Sequence, residues 1–439
     1  TSGLVSNNVV ATVCLKYQTI PTLSCGCLLT SRMNLKCKIG SLNLDLLRSL
    51  FKNRDKLLGT GIRYASNQDS KKTPLYDFHI ENGGKMVDFC GYQLPIRYQG
   101  FGIIDSHNHT RTDCSLFDVS HMVQFQLLGS KCVEFIESLT VGDISSLSSN
   151  SGTLSVLTND NGGIVDDLII NKLEGSLYVV SNACCREKVL KLLYESLENF
   201  SGSDVTLQVM DDRGLVALQG PRMVEVLQPL TDVDLSQLHF MKTVQGLVCG
   251  VKDCRITRCG YTGEDGVEIS FPSQYGLQIA NQICKNSIVK PAGLGTRDSL
   301  RIEAGLCLYG NDIDEITTPV EAGLTWTIGK RRRVDYNFPG GSIIKKQLKE
   351  KPEKRRVGLI TAGPPARKDA SILGKQNTVI GHVTSGCPSP TLLMNVAMGY
   401  VNAQECAPGT PVKVEIRSKF YEGEIVKLPF IPTKFYSVK

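Results

Sequence analysis

Gly152-Thr153-Leu154-Ser155-Val156-Leu157-Thr158-Asn159-Asp160-Asn161-Gly162-Gly163-Ile164-Val165-Asp166-Asp167-Leu168-Ile169-Ile170 is the stretch from which the rest of the chain is read. Thr153 to Thr158 and Ile164 to Ile170 each alternate with period two, the pattern of a strand with one buried face. Asn159 to Gly163 separates them, and Asn-Gly-Gly supplies the positive φ angles of a tight turn. The segment therefore predicts a β-hairpin. Neighbouring acids on a strand point to opposite faces, so Ile164 and Asp166 share one face and Val165 and Asp167 the other. At most one of the two acids then lines a pocket beside the hairpin. Taken alone, both read as charges that cap or solvate it.

Working outward, Leu177-Tyr178-Val179-Val180-Ser181 predicts a further strand, with Tyr178, Val180 and Asn182 projecting from one face. An aromatic ring, an aliphatic surface and an amide in a row suit a flat heteroaromatic ligand, and equally a half-buried strand. Arg186 to Leu197 follows with helical spacing at Val189, Leu190, Leu193 and Leu197. Leu215 to Leu218 is a strand stopped by Gln219-Gly220-Pro221. Val267, Ile269 and Phe271 form the apolar face of another strand, with Glu268 opposite them. Gly295 to Ala304 predicts a helix, with Arg297 at its start. Exposure is the default for such a Glu and Arg. A buried Glu268 would need donors, and an aminopyrimidine edge offers two parallel N–H groups to one carboxylate. Arg297 would serve carboxylate recognition or orient Glu268. Pro339-Gly340-Gly341 and the charged stretch Lys349 to Arg356 mark a boundary between about 340 and 356. Short strands beyond it, such as Val379 to Val383 and Val412 to Ile416, predict a small β-barrel.

The chain has 439 residues, enough for two or three domains, and its formal charge of +6 is unevenly spread. Residues 1–72 hold 11 Lys and Arg against Asp45, Asp55 and Asp69; removing these from the 49 basic and 43 acidic residues leaves 38 and 40. The excess is thus N-terminal, which argues against a nucleic-acid-binding surface over the whole protein. Leu46, Leu47, Leu50 and Phe51 share one helical face, with Arg48, Lys52 and Lys56 on another. A basic amphipathic helix in an acid-poor leader predicts a mitochondrial transit peptide over about 1–66, with a processing site near Arg63-Tyr64-Ala65-Ser66. No run of 18 apolar residues predicts a membrane span. The 16 cysteines are scattered without a C-x-x-C pair and read mostly as reduced, buried small hydrophobes.

No G-x-S-x-G, Walker loop, H-E-x-x-H or strand-following G-x-G-x-x-G occurs. His107 and His109 are two apart, but the pair reads as structural and no metal is expected. The basic run Lys330-Arg331-Arg332-Arg333 reads as a solvated face or, more sharply, as a docking patch for an acidic partner.

Several blocks together carry a resemblance. Thr73-Pro74-Leu75-Tyr76-Asp77-Phe78, Gly83 to Val87, Ser115 to Met122 and the hairpin above stand in order. They are followed by Arg258-Cys259-Gly260-Tyr261-Thr262-Gly263-Glu264-Asp265-Gly266-Val267-Glu268, Arg297 to Arg301, Gly305 to Asp312 and Thr384 to Pro390. From Thr73 to Lys439 the chain resembles the glycine cleavage T-protein family. The resemblance implies an α+β fold: a three-subdomain cloverleaf around a folate cavity. Two interleaved subdomains would lie within 67–345 and a C-terminal β-barrel in 346–439. It implies Asp167 as the catalytic residue. Met122, Leu154, Tyr178, Val180, Asn182 and Tyr261 match folate-lining positions, and Glu268 and Arg297 the polar contacts of the pterin end. The family's C-terminal ligand-contacting tyrosine falls at Phe435, so its hydroxyl contact is lost or passes to Tyr436. Tetrahydrofolate would be the co-substrate, and the lipoylated H-protein the partner, alongside the P- and L-proteins of the system, in the mitochondrial matrix. Two rival readings are a folate-dependent demethylase of an N-methyl amino acid and a non-catalytic folate-binding assembly factor. The first is disfavoured by the missing flavin fingerprint. The second carries a Lys-Gly-Cys motif where this chain has Arg258-Cys259-Gly260-Tyr261.

Overall fold

The computed structural model of the protein describes residues 70–200 and 204–437. The amphipathic segment, the processing site and the rest of the expected leader lie outside these residues.

The hairpin forms, as Ser151–Thr158 paired with Ile164–Lys172. It opens a five-stranded antiparallel sheet that continues with Ser176–Ser181, Val123–Leu128 and Thr206–Val209. Period two divides its residues cleanly. Leu168, Ile170, Leu177 and Val179 point to one side and pack with Phe135, Ile136, Val189 and Leu193 from the helices Cys132–Leu139 and Arg186–Asn199. Asp167, Ile169 and Asn171 therefore point to the other side, as do Tyr178 and Val180 of the next strand. Slipping the Ile164–Lys172 strand by one residue would carry Leu168 and Ile170 out of that core. At about 1.5–3 kcal/mol for each buried aliphatic side chain, the loss would be about 3–6 kcal/mol. The register that aims Asp167 is thus set by its apolar neighbours.

The turn departs from expectation in one respect. Only Gly162 has a positive φ, at 75°. Gly163 serves a different purpose, because a Cβ there would lie 1.8 Å from the carbonyl oxygen of Glu315. The Asn159 side chain accepts from the Asn161 and Gly163 amides, and Ile164 N–H donates to Asp314 and Thr317 carbonyls. The hairpin tip is clamped to the 314–317 segment.

A second sheet has six strands in the order Thr243–Val248, Val251–Thr257, Gly266–Pro272, Arg213–Gln219, Cys114–Asp118 and Val289–Ala292, the last pair parallel. Its outer face buries Val216, Leu218, Ile256, Val267, Ile269 and Phe271 against helices that include Gly276–Cys284. Its inner face meets that of the first sheet, where Phe117, Leu215 and Ala217 pack on Tyr178 and Val180. A small sheet of Lys71–Lys72, Tyr92–Tyr98 and Gly84–Phe89 stands beside them.

The expected barrel is present and closed: six strands between Lys354 and Val426, the first paired with the last. The preceding helix, Gly341–Glu350, runs across position 345 and packs Ile344 with Val156 and Ile164 of the hairpin. The change to the barrel therefore falls just before Lys354. Helix Leu294–Glu303 joins the parts: Ile302 packs on barrel residues Cys387, Val396 and Met398, while its first turn carries Arg297 toward the sheets. Among the described residues no helix is long and apolar enough to cross a membrane.

Candidate active site

Where the two inner faces meet they leave a narrow cleft, with Ile169, Asn171, Tyr178 and Val180 on one wall. Leu215, Arg255, Thr257, Cys259, Glu268 and Ser270 form the other. Gln124 ties the walls together, its Oε1 accepting from the Tyr178 hydroxyl at 2.8 Å and from Ser270 Oγ at 2.6 Å.

Asp167 and Asn182 stand just beyond Ile169 and Val180 on the same face. Leu168 pairs with Ser181, so one step further along the antiparallel register Asn182 lies opposite Asp167. The Asn182 amide donates to Asp167 Oδ1 at 2.8 Å, and also to Asp166 Oδ1 at 2.8 Å. The two acids do point to opposite faces. Asp166 is fully buried on the helix side, where Ser181 Oγ donates to it at 2.5 Å and the Asn182 backbone N–H at 3.1 Å. Asp167 faces the cleft, and Asn182, at the strand end, touches both. Burial, and then the negative Asp166 next to it, push the Asp167 carboxyl up to about 7, against the pull of Asn182 and the more distant Arg297.

Glu268 faces the pocket from the opposite wall. It pairs with Thr257 and Ala217, with its side chain turned away from the Val267–Ile269–Phe271 core. Burial raises its carboxyl above the usual range, opposed by Arg297 and then by the Cys259 thiol. The Arg297 guanidinium lies 4.5 Å over the Tyr261 ring, whose hydroxyl donates to the Cys307 carbonyl. Arg297 thus acts on both Asp167 and Glu268 from one place. Neither carboxylate is saturated by the chain: both retain acceptor capacity beside a cleft of mixed aliphatic and polar lining, an environment that suits N–H groups of a flat heteroaromatic ligand.

Tyr178, Val180 and Glu268 line the cleft, Asn182 bonds Asp167, and Arg297 lies over Tyr261. Leu154 pairs with Ile169 on the same face, half-buried, and Met122 packs on the Tyr178–Val180 cluster. The two C-terminal aromatics are found on the 236–240 segment. Phe435 stacks on Phe240 at 4.2 Å and Tyr436 on His239 at 5.1 Å, with the Tyr436 hydroxyl donating to the Ser236 carbonyl at 3.2 Å. The tail reaches them over the Tyr261 loop, where Lys434 N–H donates to the Gly263 carbonyl and Lys434 Nζ pairs with Glu264 at 3.2 Å. Arg255, Thr257, Cys259 and Ser270 were not foreseen. The same two-residue step that turns Glu268 inward turns Ser270 inward, and the strand before it could have been read likewise from Arg255.

The basic run is less free than its charge suggests. Arg331 pairs with Glu137 at 2.6 Å and Asp143 at 2.9 Å. Arg332 is 3% exposed and donates to the carbonyls of Glu137, Thr140 and Asn337, while Arg333 donates to those of Ile328 and Thr325. Lys330 is exposed. His107 and His109 diverge, as residues two apart on a helix must: His107 bonds Ser299 and Glu303, and His109 the carbonyls of Cys114 and Ile288. Among the described residues no group of three or more His, Cys, Asp or Glu is placed to hold a metal ion.

With this geometry in view, residues 75–332 match the GCVT N-terminal domain, and residues 354–431 the glycine cleavage T-protein C-terminal barrel domain. The chain belongs to the glycine cleavage T-protein family. Mitochondrial aminomethyltransferases from Mus musculus and Homo sapiens are 54% and 55% identical over 372 residues, covering 84% of this chain and 92% of each relative. The enzyme of the same name from the plant Mesembryanthemum crystallinum is 49% identical over 378 residues, 85% of this chain and 92% of its own length. The crystal structure of the glycine cleavage system aminomethyltransferase T from Bartonella henselae superposes with a TM-score of 0.78 at 36% identity, over 84% of this chain and 99% of its own. This T-protein family member thus shares its fold with a solved relative along nearly all of that relative's length.

Proposed function

We propose that this cleft binds tetrahydrofolate and that Asp167 promotes transfer of a one-carbon unit to it. The chain is an aminomethyltransferase of glycine catabolism. It takes the methylene carbon of an aminomethyl group held on the lipoyl arm of H-protein and gives 5,10-methylenetetrahydrofolate, ammonia and the dihydrolipoyl carrier. The single observation that carries the site assignment is the pair of under-saturated, half-buried carboxylates, Asp167 and Glu268, each acted on by Arg297 beside one cleft.

In the reaction a bond forms between N5 of tetrahydrofolate and the methylene carbon, and the carbon–nitrogen bond to ammonia and the carbon–sulfur bond to the lipoyl arm break. Closure onto N10 completes the product. Positive charge develops at the methylene carbon as either leaving group departs, and a fixed carboxylate in a dry cleft stabilises it. Asp167 supplies that charge, with Asn182 holding it in orientation. With its carboxyl near neutrality, Asp167 also takes a proton from the attacking nitrogen without costly loss of solvation. Glu268 holds the aminopyrimidine edge, and Arg297 opposes the rise that burial imposes on its carboxyl. Tyr178, Val180 and Leu215 enclose the ring. Juxtaposing two bound substrates supplies much of the remaining acceleration.

The enzyme works in the mitochondrial matrix with lipoylated H-protein, and through it with the P- and L-proteins. Lys330, Arg331 and Arg333 form the exposed part of a carrier-docking patch. The deciding assay is methylenetetrahydrofolate formation from tetrahydrofolate and aminomethyl-loaded H-protein, comparing the wild type with Asp167→Asn. Carrier-dependent product, reduced about 100- to 1,000-fold in kcat with folate affinity little changed, is expected. Equal losses in both would contradict the assignment of Asp167, and folate binding without carrier-dependent turnover would contradict the activity.

A further inference from the structure

Cys90 and Cys184 come from segments 94 residues apart and meet in a disulfide, with their Cα atoms 5.0 Å apart. The ten other described cysteines are unpaired, eight of them buried. Cys90 sits at the tip of the hairpin formed by Gly84–Phe89 and Tyr92–Tyr98, in a two-residue turn closed by the Phe89–Tyr92 pair. Both turn residues have positive φ, 51° at Cys90 and 76° at Gly91. Asn, Asp or Gly normally fills the first of these places, because other side chains are strained there. The chain uses the same Cys-Gly turn once more, at Cys249-Gly250. There the thiol is 4% exposed among core aliphatics, and burial pushes it up to about 11. That thiol packs as a small hydrophobe and is chemically quiet. Cys90 is only half-buried and Cys184 is exposed, so small thiols and disulfides can reach this pair.

The location gives the link its leverage. Cys184 lies in the 3-10 turn Ala183–Cys185, two residues after Asn182, whose amide spans Asp166 and Asp167. On the other side, the hairpin tip presses Phe89 and Tyr92 against His121, which precedes Met122. The disulfide therefore ties the Asn182 turn to the hairpin that packs beside the cleft.

We propose that Cys90 and Cys184 are a thiol-exchange modification site that sets how firmly Asn182 holds Asp167. Formation uses a low-molecular-weight disulfide. The Cys184 thiolate attacks one of its sulfurs and releases one thiol; Cys90 then displaces the second, so two protein thiols are oxidised and one disulfide is reduced to two thiols. A 1,3-dithiol reverses this and leaves as a five-membered cyclic disulfide. The dihydrolipoyl product is such a dithiol, so the reductant class is one the proposed reaction itself generates. The link stands on the geometry alone, whereas its effect on turnover rests on the folate reading.

The test uses the full chain equilibrated in glutathione buffers from fully reduced to fully oxidised, with thiols trapped by alkylation and the Cys90–Cys184 peptide quantified by mass spectrometry. Amide hydrogen exchange at residues 181–185 and carrier-dependent turnover are measured on the same samples. The pair should interconvert reversibly. Oxidation should slow exchange at 181–185 about tenfold and lower the KM for tetrahydrofolate at least threefold. Cys90→Ser and Cys184→Ser should each behave as the reduced form at every buffer composition. No cross-link in oxidising buffer, or equal exchange rates in the two states, would overturn the proposal, as would a redox response surviving in Cys90→Ser. If no carrier-dependent turnover is found, the folate reading fails by itself, and trapping with hydrogen exchange still decides the link.

Discussion

Two groups of carboxylates in this protein, one buried and one partly buried, behave in opposite ways. Asp118, Glu303 and Asp312 lie outside the cleft wall, and the chain surrounds each with donors. Asp118 accepts from Thr73 at 2.6 Å, the Ser120 N–H at 2.9 Å and His79 at 2.9 Å. Glu303 takes His107, Arg111, Ser389 and Thr391, and Asp312 takes Arg301, Ser385, Thr384 and the Leu308 N–H. Burial alone would raise all three, but these partners outweigh it and each is lowered, Glu303 to about 2. Asp167 and Glu268 are raised instead, because their partners are few. The difference separates acids that the fold satisfies from acids left to a ligand.

That division can be broken experimentally. The largest effect is expected at Glu303→Ala, which removes the carboxylate shared by Arg111, His107, Ser389 and Thr391 in the interior and should cost about 3–5 kcal/mol of stability, read by denaturant unfolding. Glu268→Gln should weaken tetrahydrofolate binding about 10- to 100-fold, the loss of a charged hydrogen-bond pair, with unfolding midpoints nearly unmoved; calorimetric titration checks this. Asp167→Asn should raise the melting temperature at pH 8 by about 2 °C. A raised carboxyl binds more protons folded than unfolded, so its ionisation costs stability progressively between about pH 4 and 7. The gain in the variant should therefore shrink as pH falls through that window. Glu303 works with the opposite sign: its stabilisation is complete above its ordinary 4.5 and is lost as pH falls toward 2. A melting temperature for Asp167→Asn that fell at pH 8 would erase the distinction. The smallest effect should come from Lys330→Glu, a rise of about two- to threefold in the KM for H-protein at low salt that vanishes at high salt.

Much of this was legible in the sequence, and for a simple reason. Period-two alternation assigns faces, so Tyr178, Val180 and Asn182 could be placed together and Glu268 opposite its strand's apolar face, while Asp167 was chosen over Asp166 by the family resemblance; the strands fall close to where the alternation put them. What could not be read depends on residues distant in the chain. That one amide would span two acids pointing apart requires knowing that Asn182 sits level with Asp167 at a strand end. The acids at Glu137 and Asp143 that engage Arg331 are nearly 200 residues away from it. Gly163 looked like a residue chosen for its torsion angle, and its actual neighbour is the carbonyl of Glu315, in a loop that no local pattern connects to the hairpin.

That last contact bears on how the enzyme could be damaged without anyone touching its substrates. A methyl group at 163 would act as a wedge under the tip of the strand that carries Asp167, levering that residue along the strand axis relative to Glu268 across the cleft. A 1.8 Å approach to a carbonyl oxygen is relieved only by a shift of more than about 1 Å, and since both acids would have to grip the same rigid ring, such a displacement would leave each group intact and the spacing between them wrong. The hairpin turn is in that sense a gauge stop, and a lesion there would present as a slow enzyme that still folds and still binds.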